Sequence, residues 1–172
     1  LDLFASVQVH AHTRGSLWSL HAADVLNMRL GIRESLSASS RASCLCRVVR
    51  GLFAEMQPSS KAYRALVTGM DLLACGRVCD AVASYRHLLD AAGVFPDVDR
   101  CARCDRSCTP VWIGDEAALC ESCASPDIRM PDALIAALRG QPGIDESVAL
   151  AVETWALRRI EPISTKGVRF SR

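Results

Sequence analysis

Aromatic residues and long apolar runs are both scarce in this chain of 172 residues. Phe, Trp and Tyr make up 5% of the sequence, so a core has to be built mainly from Leu, Val and Ala, a composition that favours helices. No stretch approaches the roughly 20 apolar residues of a transmembrane helix, and the first residues do not resemble a signal peptide. We therefore expect a cytoplasmic protein rather than a membrane or secreted one. The chain does not begin with Met, which we interpret as an N-terminal truncation.

Sequence motifs of catalysis are missing as well. The chain contains no Gly-rich phosphate loop, no H-E-x-x-H motif and no G-x-S-x-G motif. Its four His show no metal-ligand spacing with acids or Cys. These absences favour a protein that binds other molecules and is not an enzyme.

Charge is unevenly distributed, although the net charge is only +1. Residues 1–50 carry six Arg and three acids, and residues 101–155 carry four basic and nine acidic side chains. Basic ends attract nucleic acid phosphates, but a solvated surface of mixed charge is the plainer interpretation. The cations near the C-terminus are Arg158, Arg159, Lys166, Arg169 and Arg172.

Cysteine is the residue type that the chain has in excess, with nine in all. Cys101 and Cys104 form one C-x2-C pair, and Cys120 and Cys123 form a second pair after fifteen intervening residues. This spacing is typical of zinc sites, in which two tight turns point four thiolates at one ion. Four sulfur ligands close the tetrahedron, so the spacing predicts a structural Zn²⁺ site without an open catalytic position.

The remaining cysteines carry weaker signals. Cys108 lies close to the first pair and is either a free thiol or an alternative ligand. Two redox-active pairs remain the alternative to a zinc site, but the βαβ context of a thioredoxin-like motif is absent. The other four cysteines are interpreted as small core or boundary residues: Cys44, Cys46, Cys75 and Cys79.

The hydrophobic pattern predicts a mainly α fold. Two strands are expected over 3–10 and 16–20, and a small hairpin over 110–119. Helices are expected over 21–36, 41–55, 61–75, 79–92, 131–138 and 145–160. The fold predicted is a helical bundle over 21–100 and 126–160, with a zinc-ribbon-like insertion at 101–125. The helical domain as a whole is expected to span 21–172, after a short β segment at 1–20.

A family resemblance is carried by residues 87–104, which read HLLDAAGVFPDVDRCARC. A helix ending in Leu-Leu, a Gly, a Pro-containing connector and a C-x2-C pair resemble the junction of the RecO recombination-mediator family. Residues 118–123 (ALCESC) resemble the second cysteine pair of that family, and residues 164–170 (STKGVRF) resemble its closing segment.

The resemblance implies a function in recombinational DNA repair. Family members begin with an oligonucleotide-binding (OB) domain, and residues 1–20 resemble only its last strands. The family anneals complementary strands and, with RecR, loads the recombinase onto single strands coated by the single-stranded DNA-binding protein (SSB). Arg86 lies where members carry a basic residue near the docking helix for the acidic SSB tail. The five C-terminal cations would then contact single- or double-stranded DNA, and the protein would associate with the nucleoid.

Two other hypotheses remain open from the residues themselves. A zinc-stabilised helical scaffold or regulator that binds only protein would show no affinity for DNA. An oxidoreductase that uses Cys101 and Cys104 would show a reversible dithiol with perturbed thiol pKa values.

Overall fold

A computed structural model describes residues 3–15, 17–54, 57–114 and 117–166, the last six of these as backbone only. A β-hairpin comes first, then four helices, a second small hairpin and two further helices. Single 3-10 turns occupy Asp80–Val82 and Pro126–Ile128. The elements are β1 Ser6–Arg14, β2 Leu17–Asn27, α1 Leu30–Arg33, α2 Leu36–Leu52, α3 Ser60–Ala74, α4 Ala83–Ala91, β3 Trp112–Ile113, β4 Ala118–Leu119, α5 Asp132–Leu138 and α6 Glu146–Lys166.

The N-terminal hairpin presents an apolar face to solvent. β1 and β2 pair antiparallel, and the register places Val9 opposite Ala23 and Ala11 opposite Leu20. Because paired residues share a face, Val9, Leu20, Val25 and Trp18 lie on the same side of the ribbon, and all four are exposed. Such a two-stranded ribbon buries little apolar surface by itself.

A buried arginine fixes the base of this hairpin to the helices. Arg29 donates hydrogen bonds to Asp71 of α3 over 2.7 Å, to the carbonyl of Phe4 over 3.0 Å and to the Ser6 hydroxyl over 2.7 Å. The hairpin is thus held at its open end, and the rest of it projects away from the helical core.

Serine caps determine where the two long central helices begin. The Ser35 hydroxyl accepts a hydrogen bond from the Ala38 amide, and Ser59 does the same for Ala62. Each cap satisfies one of the free amides of a first helical turn and contributes about 1 kcal/mol. α2 therefore starts at Leu36, five residues before the start predicted from the hydrophobic pattern.

The hydrophobic core lies between α2, α3, α4 and α6. Its fully buried side chains are mainly aliphatic, as the low aromatic content requires, and they include Leu45, Val48, Leu73, Leu88, Leu89 and Val152. Tyr85 is the largest side chain among them. These positions recur at intervals of three or four residues along each helix, which is the spacing of a core-facing stripe.

A buried ion pair crosses this core. Arg41 of α2 donates to Glu153 of α6 over 2.7 Å, and both side chains are less than 10% exposed. The Tyr85 hydroxyl lies 3.4 Å from Glu153 and 3.4 Å from the carbonyl of Arg41. The ion pair joins α2 to α6, and Tyr85 adds α4. The hydrogen bonds that these three side chains require allow few alternative arrangements of the three helices.

The predicted fold class is confirmed, with corrections to individual elements. The helix expected over 21–36 is wrong in its first half, because β2 continues to Asn27 and only Leu30–Arg33 is helical. Pairing with β1 satisfies the backbone there, which outweighs the helix-like spacing of the side chains. The last helix extends to Lys166 rather than ending at residue 160. The division into an OB remnant at 1–20 and a helical domain at 21–172 stays a prediction.

Candidate metal centre

Four cysteine thiols converge in the segment after α4. The Sγ atoms of Cys101, Cys104, Cys120 and Cys123 all lie within 4.8 Å of one another. Zinc–sulfur bonds of about 2.3 Å give a regular tetrahedron with edges of about 3.8 Å. The Sγ atoms of Cys104 and Cys120 are 3.8 Å apart, which equals such an edge. The two C-x2-C pairs predicted from the sequence therefore meet around one point.

The first pair is held by a tight turn. The amide of Asp105 donates to the carbonyl of Cys101 over 2.8 Å, and the amide of Cys101 donates to the carbonyl of Arg106 over 3.0 Å. Asp105 has a φ of 57°, a left-handed conformation that Asp tolerates better than most residues. This turn directs Cys101 inward, where it is 1% exposed, and leaves Cys104 half-buried beside it.

The second pair follows the small hairpin. β3 and β4 pair antiparallel, with Trp112 opposite Leu119. Directly afterwards the amides of Cys123 and Ala124 both donate to the carbonyl of Cys120, over 3.0 and 2.9 Å. The hairpin brings this second turn back against the first, since the amide of Ala102 donates to the carbonyl of Ala118 over 2.9 Å.

Electrostatics within the cluster favour a cation. Hydrogen bonding by the backbone amide of Cys120 lowers the pKa of Cys101 to about 6. The side-chain hydrogen bond with Cys120, followed by burial, raises the pKa of Cys123 to about 12. One thiolate therefore forms readily, but its negative charge opposes ionisation of the neighbouring thiols. A bound divalent cation would remove this opposition, and four soft sulfur donors suit Zn²⁺ or iron.

A fifth thiol lies beside the cluster without joining it. Burial raises the pKa of the Cys108 thiol, and the charge of the neighbouring Cys120 raises it further. It is not one of the four sulfurs that meet within 4.8 Å. The two symmetric pairs, and not Cys108, thus form the candidate ligand set.

The cysteine segment packs on the helical bundle through α6. The Trp155 indole donates to the carbonyl of Ile113 over 3.1 Å. The Arg159 guanidinium donates to the carbonyls of Gly114 and Val94, each over 2.5 Å, and lies over the Trp155 ring at 4.7 Å. Arg159 thereby ties the hairpin and the connector after α4 to the last helix.

The predicted DNA contacts fall in different environments. Arg158 is exposed, whereas Arg159 is only 6% exposed and donates to backbone carbonyls. This burial argues against the phosphate contact predicted for Arg159, since both of its terminal nitrogens donate to carbonyls inside the protein. Lys166 is the last residue of α6, and its side chain lies outside the described part of the structure; Arg169 and Arg172 lie outside the described residues altogether.

The residue predicted for partner docking lies on α4. The Arg86 guanidinium lies over the Phe95 ring at 5.3 Å, and Phe95 meets Trp155 edge-on at 6.0 Å. Together with Arg159 these side chains form a ladder from α4 to α6, in which two aromatic rings lie between two cations. Sequence reasoning missed this ladder, because no local spacing links residues 86, 95, 155 and 159.

The fold and the centre define a class of protein, a helical domain with an inserted four-thiol ribbon. The family model described as "Recombination protein O C terminal" matches residues 33–139, more than half of the chain, and this stretch includes all four clustered cysteines. The chain accordingly belongs to the RecO family of DNA repair and recombination proteins.

Curated relatives carry a matching name. The chain is 27% identical over 157 residues to "DNA repair protein RecO" of Anaeromyxobacter sp. (strain K). The same values apply to the protein of that name from Anaeromyxobacter dehalogenans (strain 2CP-1 / ATCC BAA-258). Each match covers 88% of this chain and 55% of the relative, so the chain spans about half the length of the curated relatives it matches. Among the described residues, no helix has the length and apolarity needed to cross a membrane.

Proposed function

We propose that this chain is the helical, metal-stabilised part of a recombination mediator that acts by binding and not by catalysis. The observation that carries the proposal is the family match over residues 33–139, which joins the helical core and the four-thiol cluster in one unit. In this function the protein binds DNA, promotes annealing of complementary strands and helps load a recombinase. It therefore associates with the nucleoid in the cytoplasm.

The metal in this proposal is a structural Zn²⁺ ion. Four thiolates leave no coordination position for water or substrate, so the ion holds the two turns together and does no chemistry of its own. In peptides such an ion contributes about 10–16 kcal/mol, enough to order a segment with little core. The closed cluster also argues against the redox alternative, since Cys101 and Cys104 face two further thiols and not each other alone.

Elemental analysis tests the metal directly. Protein purified without added metal is expected to contain one zinc per chain, and chelation under denaturing conditions should release four thiols together. One iron per chain would change the identity of the ion but keep the site. Absence of metal, together with a Cys101–Cys104 disulfide, would favour the oxidoreductase.

DNA binding in this proposal uses the exposed C-terminal cations. Arg158 on α6 would contact phosphates, and Lys166, Arg169 and Arg172 would extend the same basic end. Fluorescence anisotropy with a single-stranded oligonucleotide tests this surface. The triple substitution of the last three cations to Ala is expected to weaken binding and reduce its salt dependence. Arg77→Ala is a suitable control, because Arg77 is exposed but paired with Asp80 at 2.7 Å.

Partner binding in this proposal involves RecR and the acidic tail of SSB. Arg86 is half-buried, and its position over Phe95 fixes the guanidinium at the surface of α4. A synthetic peptide with the acidic tail should bind the wild-type chain, and Arg86→Ala should weaken that binding more than Arg86→Lys. Equal affinities for wild type and both variants would remove Arg86 from the docking site.

A scaffold that binds only protein is the second candidate, and one surface favours it. A groove of about 550 Å³ lies between the second hairpin, α5 and α6 and is lined mainly by apolar side chains, including Trp112, Met130, Leu134, Leu150 and Trp155. Such a groove suits a peptide or helix of a partner. Peptide binding without measurable DNA binding at low salt would favour this candidate.

A further inference from the structure

The solvent-facing side of α2 carries cations and hydroxyls but no acid. Residues 36–54 contain three Arg and neither Asp nor Glu. Ser40, Ser43, Arg47 and Arg50 are all exposed. At 100° per residue these four positions fall within roughly 80° of arc and span about 15 Å along the helix. They form one continuous face, which we call the α2 face.

Within the described residues neither arginine of the α2 face has an acidic partner, in contrast to four other arginines of the chain. Arg77, Arg100, Arg129 and Arg139 each pair with a carboxylate at 2.7–3.3 Å. The third arginine of α2 is buried and pairs with Glu153 on the core side of the helix. Since no carboxylate among the described residues pairs with Arg47 or Arg50, the charge of the α2 face is available to an anion.

The α2 face begins where the N-terminal hairpin is anchored. Ser40 and Ser43 line a cavity of about 480 Å³ together with Arg33 and with Phe4, which immediately precedes the hairpin. Arg29 holds the same end of the hairpin to α3. A bound polymer that ran from the hairpin along the surface of α2 would therefore contact Arg33 first, then the two serines and then the two arginines.

We infer that the α2 face contacts the sugar–phosphate backbone of single-stranded DNA. The inference rests on the proposed function and deepens it, because it places a DNA-binding surface on α2, at a distance in sequence from the C-terminal cations. Arginine supplies charge and planar donors to phosphate oxygens, and the Ser40 hydroxyl donates to the same oxygens, whereas the Ser43 hydroxyl donates to the carbonyl of Ser39 over 2.9 Å. No base edge is read on this face, so binding there is independent of sequence.

A pair of double substitutions tests the α2 face. Arg47→Ala/Arg50→Ala removes two cations from it, and Arg77→Ala/Arg129→Ala removes two exposed cations that are paired with acids. Both variants change the net charge equally, so a difference between them reports position and not total charge. Ala favours helix at the α2 positions, and circular dichroism of each variant checks that the fold is kept.

The measurement is anisotropy of a labelled 30-nucleotide oligothymidine across a range of NaCl concentrations. Each phosphate contact contributes about 0.7 to the slope of log affinity against log salt for single strands, so the α2 variant should lose about 1.4 in slope. The control variant should keep the wild-type slope, and Arg47→Lys/Arg50→Lys should restore most of it. If the Arg47→Ala/Arg50→Ala variant kept the wild-type dependence of affinity on salt, the inference would be overturned and the proposed function would remain intact. Absence of wild-type binding would overturn both.

Discussion

Replacement of Arg159 tests whether this residue is structural or binds DNA. Arg159→Ala removes two charge-assisted hydrogen bonds to the carbonyls of Val94 and Gly114 and the contact with the Trp155 ring. Hydrogen bonds to charged groups contribute about 1.5–3 kcal/mol each, and a partly desolvated cation–π contact about 1 kcal/mol. Water will reach part of the space left by the side chain, so we expect a net loss of about 4 kcal/mol.

Thermal unfolding measures this loss. For a chain of this size 1 kcal/mol corresponds to about 2–4 °C, so Arg159→Ala should lower Tm by roughly 8–16 °C. Arg158→Ala is the matched control, because the neighbouring arginine is exposed and its removal should cost less than about 0.5 kcal/mol. Equal Tm values for the two variants would refute the structural assignment. Weaker DNA binding by Arg159→Ala at an unchanged Tm would show that Arg159 contacts phosphate after all.

Three further substitutions probe the core and the cysteine segment. Glu153→Gln removes the buried partner that Arg41 contacts at 2.7 Å and leaves it only the exposed Glu146 at 3.7 Å. It should cost about 3 kcal/mol in urea denaturation, whereas replacing both Arg41 and Glu153 with Met should recover most of the loss. Burial, followed by the charge of Glu153, raises the pKa of Tyr85 far above its ordinary value of 10.0. Above pH 10 only the unfolded state loses the tyrosine proton, so the free energy of unfolding should hold below pH 10 and fall above it. The urea midpoint of Tyr85→Phe should therefore fall less steeply between pH 9 and 11 than that of the wild type. Gly114→Ala places a methyl group within 3 Å of the Trp112 ring, so it should displace that ring and change the tryptophan emission; an unchanged spectrum would contradict the packing described.

The cysteine cluster was predictable because its signal is local. Two C-x2-C pairs determine two tight turns wherever they occur, and the fifteen residues between them are enough for a hairpin that brings the turns together. The positions of α3 and α4 were predictable for a similar reason, because periodic apolar residues and the Ser59 cap lie within the helices themselves or directly beside them.

The predicted elements were wrong in two situations. In one, the pairing strand is distant in sequence; in the other, a polar cap and not the spacing of apolar residues determines where a helix begins. His21–Asn27 has helix-like spacing, but it is a strand because β1 offers a ladder of hydrogen bonds. α2 starts at Leu36 because the Ser35 hydroxyl caps it, a signal carried by one polar side chain and not by apolar periodicity.

The roles of the arginines were decided only by the tertiary structure. In the sequence Arg158 and Arg159 are equivalent neighbours, and Arg41, Arg47 and Arg50 are three similar cations of one helix. Folding buries Arg159 against two carbonyls and Arg41 against Glu153, and it leaves the others in solvent. The reason is geometric, since a helix rotates by 100° per residue and adjacent side chains face different surroundings.

The sequence by itself determined the helical composition, the paired cysteines and the family resemblance, because each depends on residues close together along the chain. The packing of α6 on α2, the attachment of the cysteine segment through Trp155 and Arg159, and the cation-rich α2 face emerged only in three dimensions. Each of these depends on residues far apart in the chain or on which face of a helix is buried. Contacts of that kind form only when the whole domain has folded.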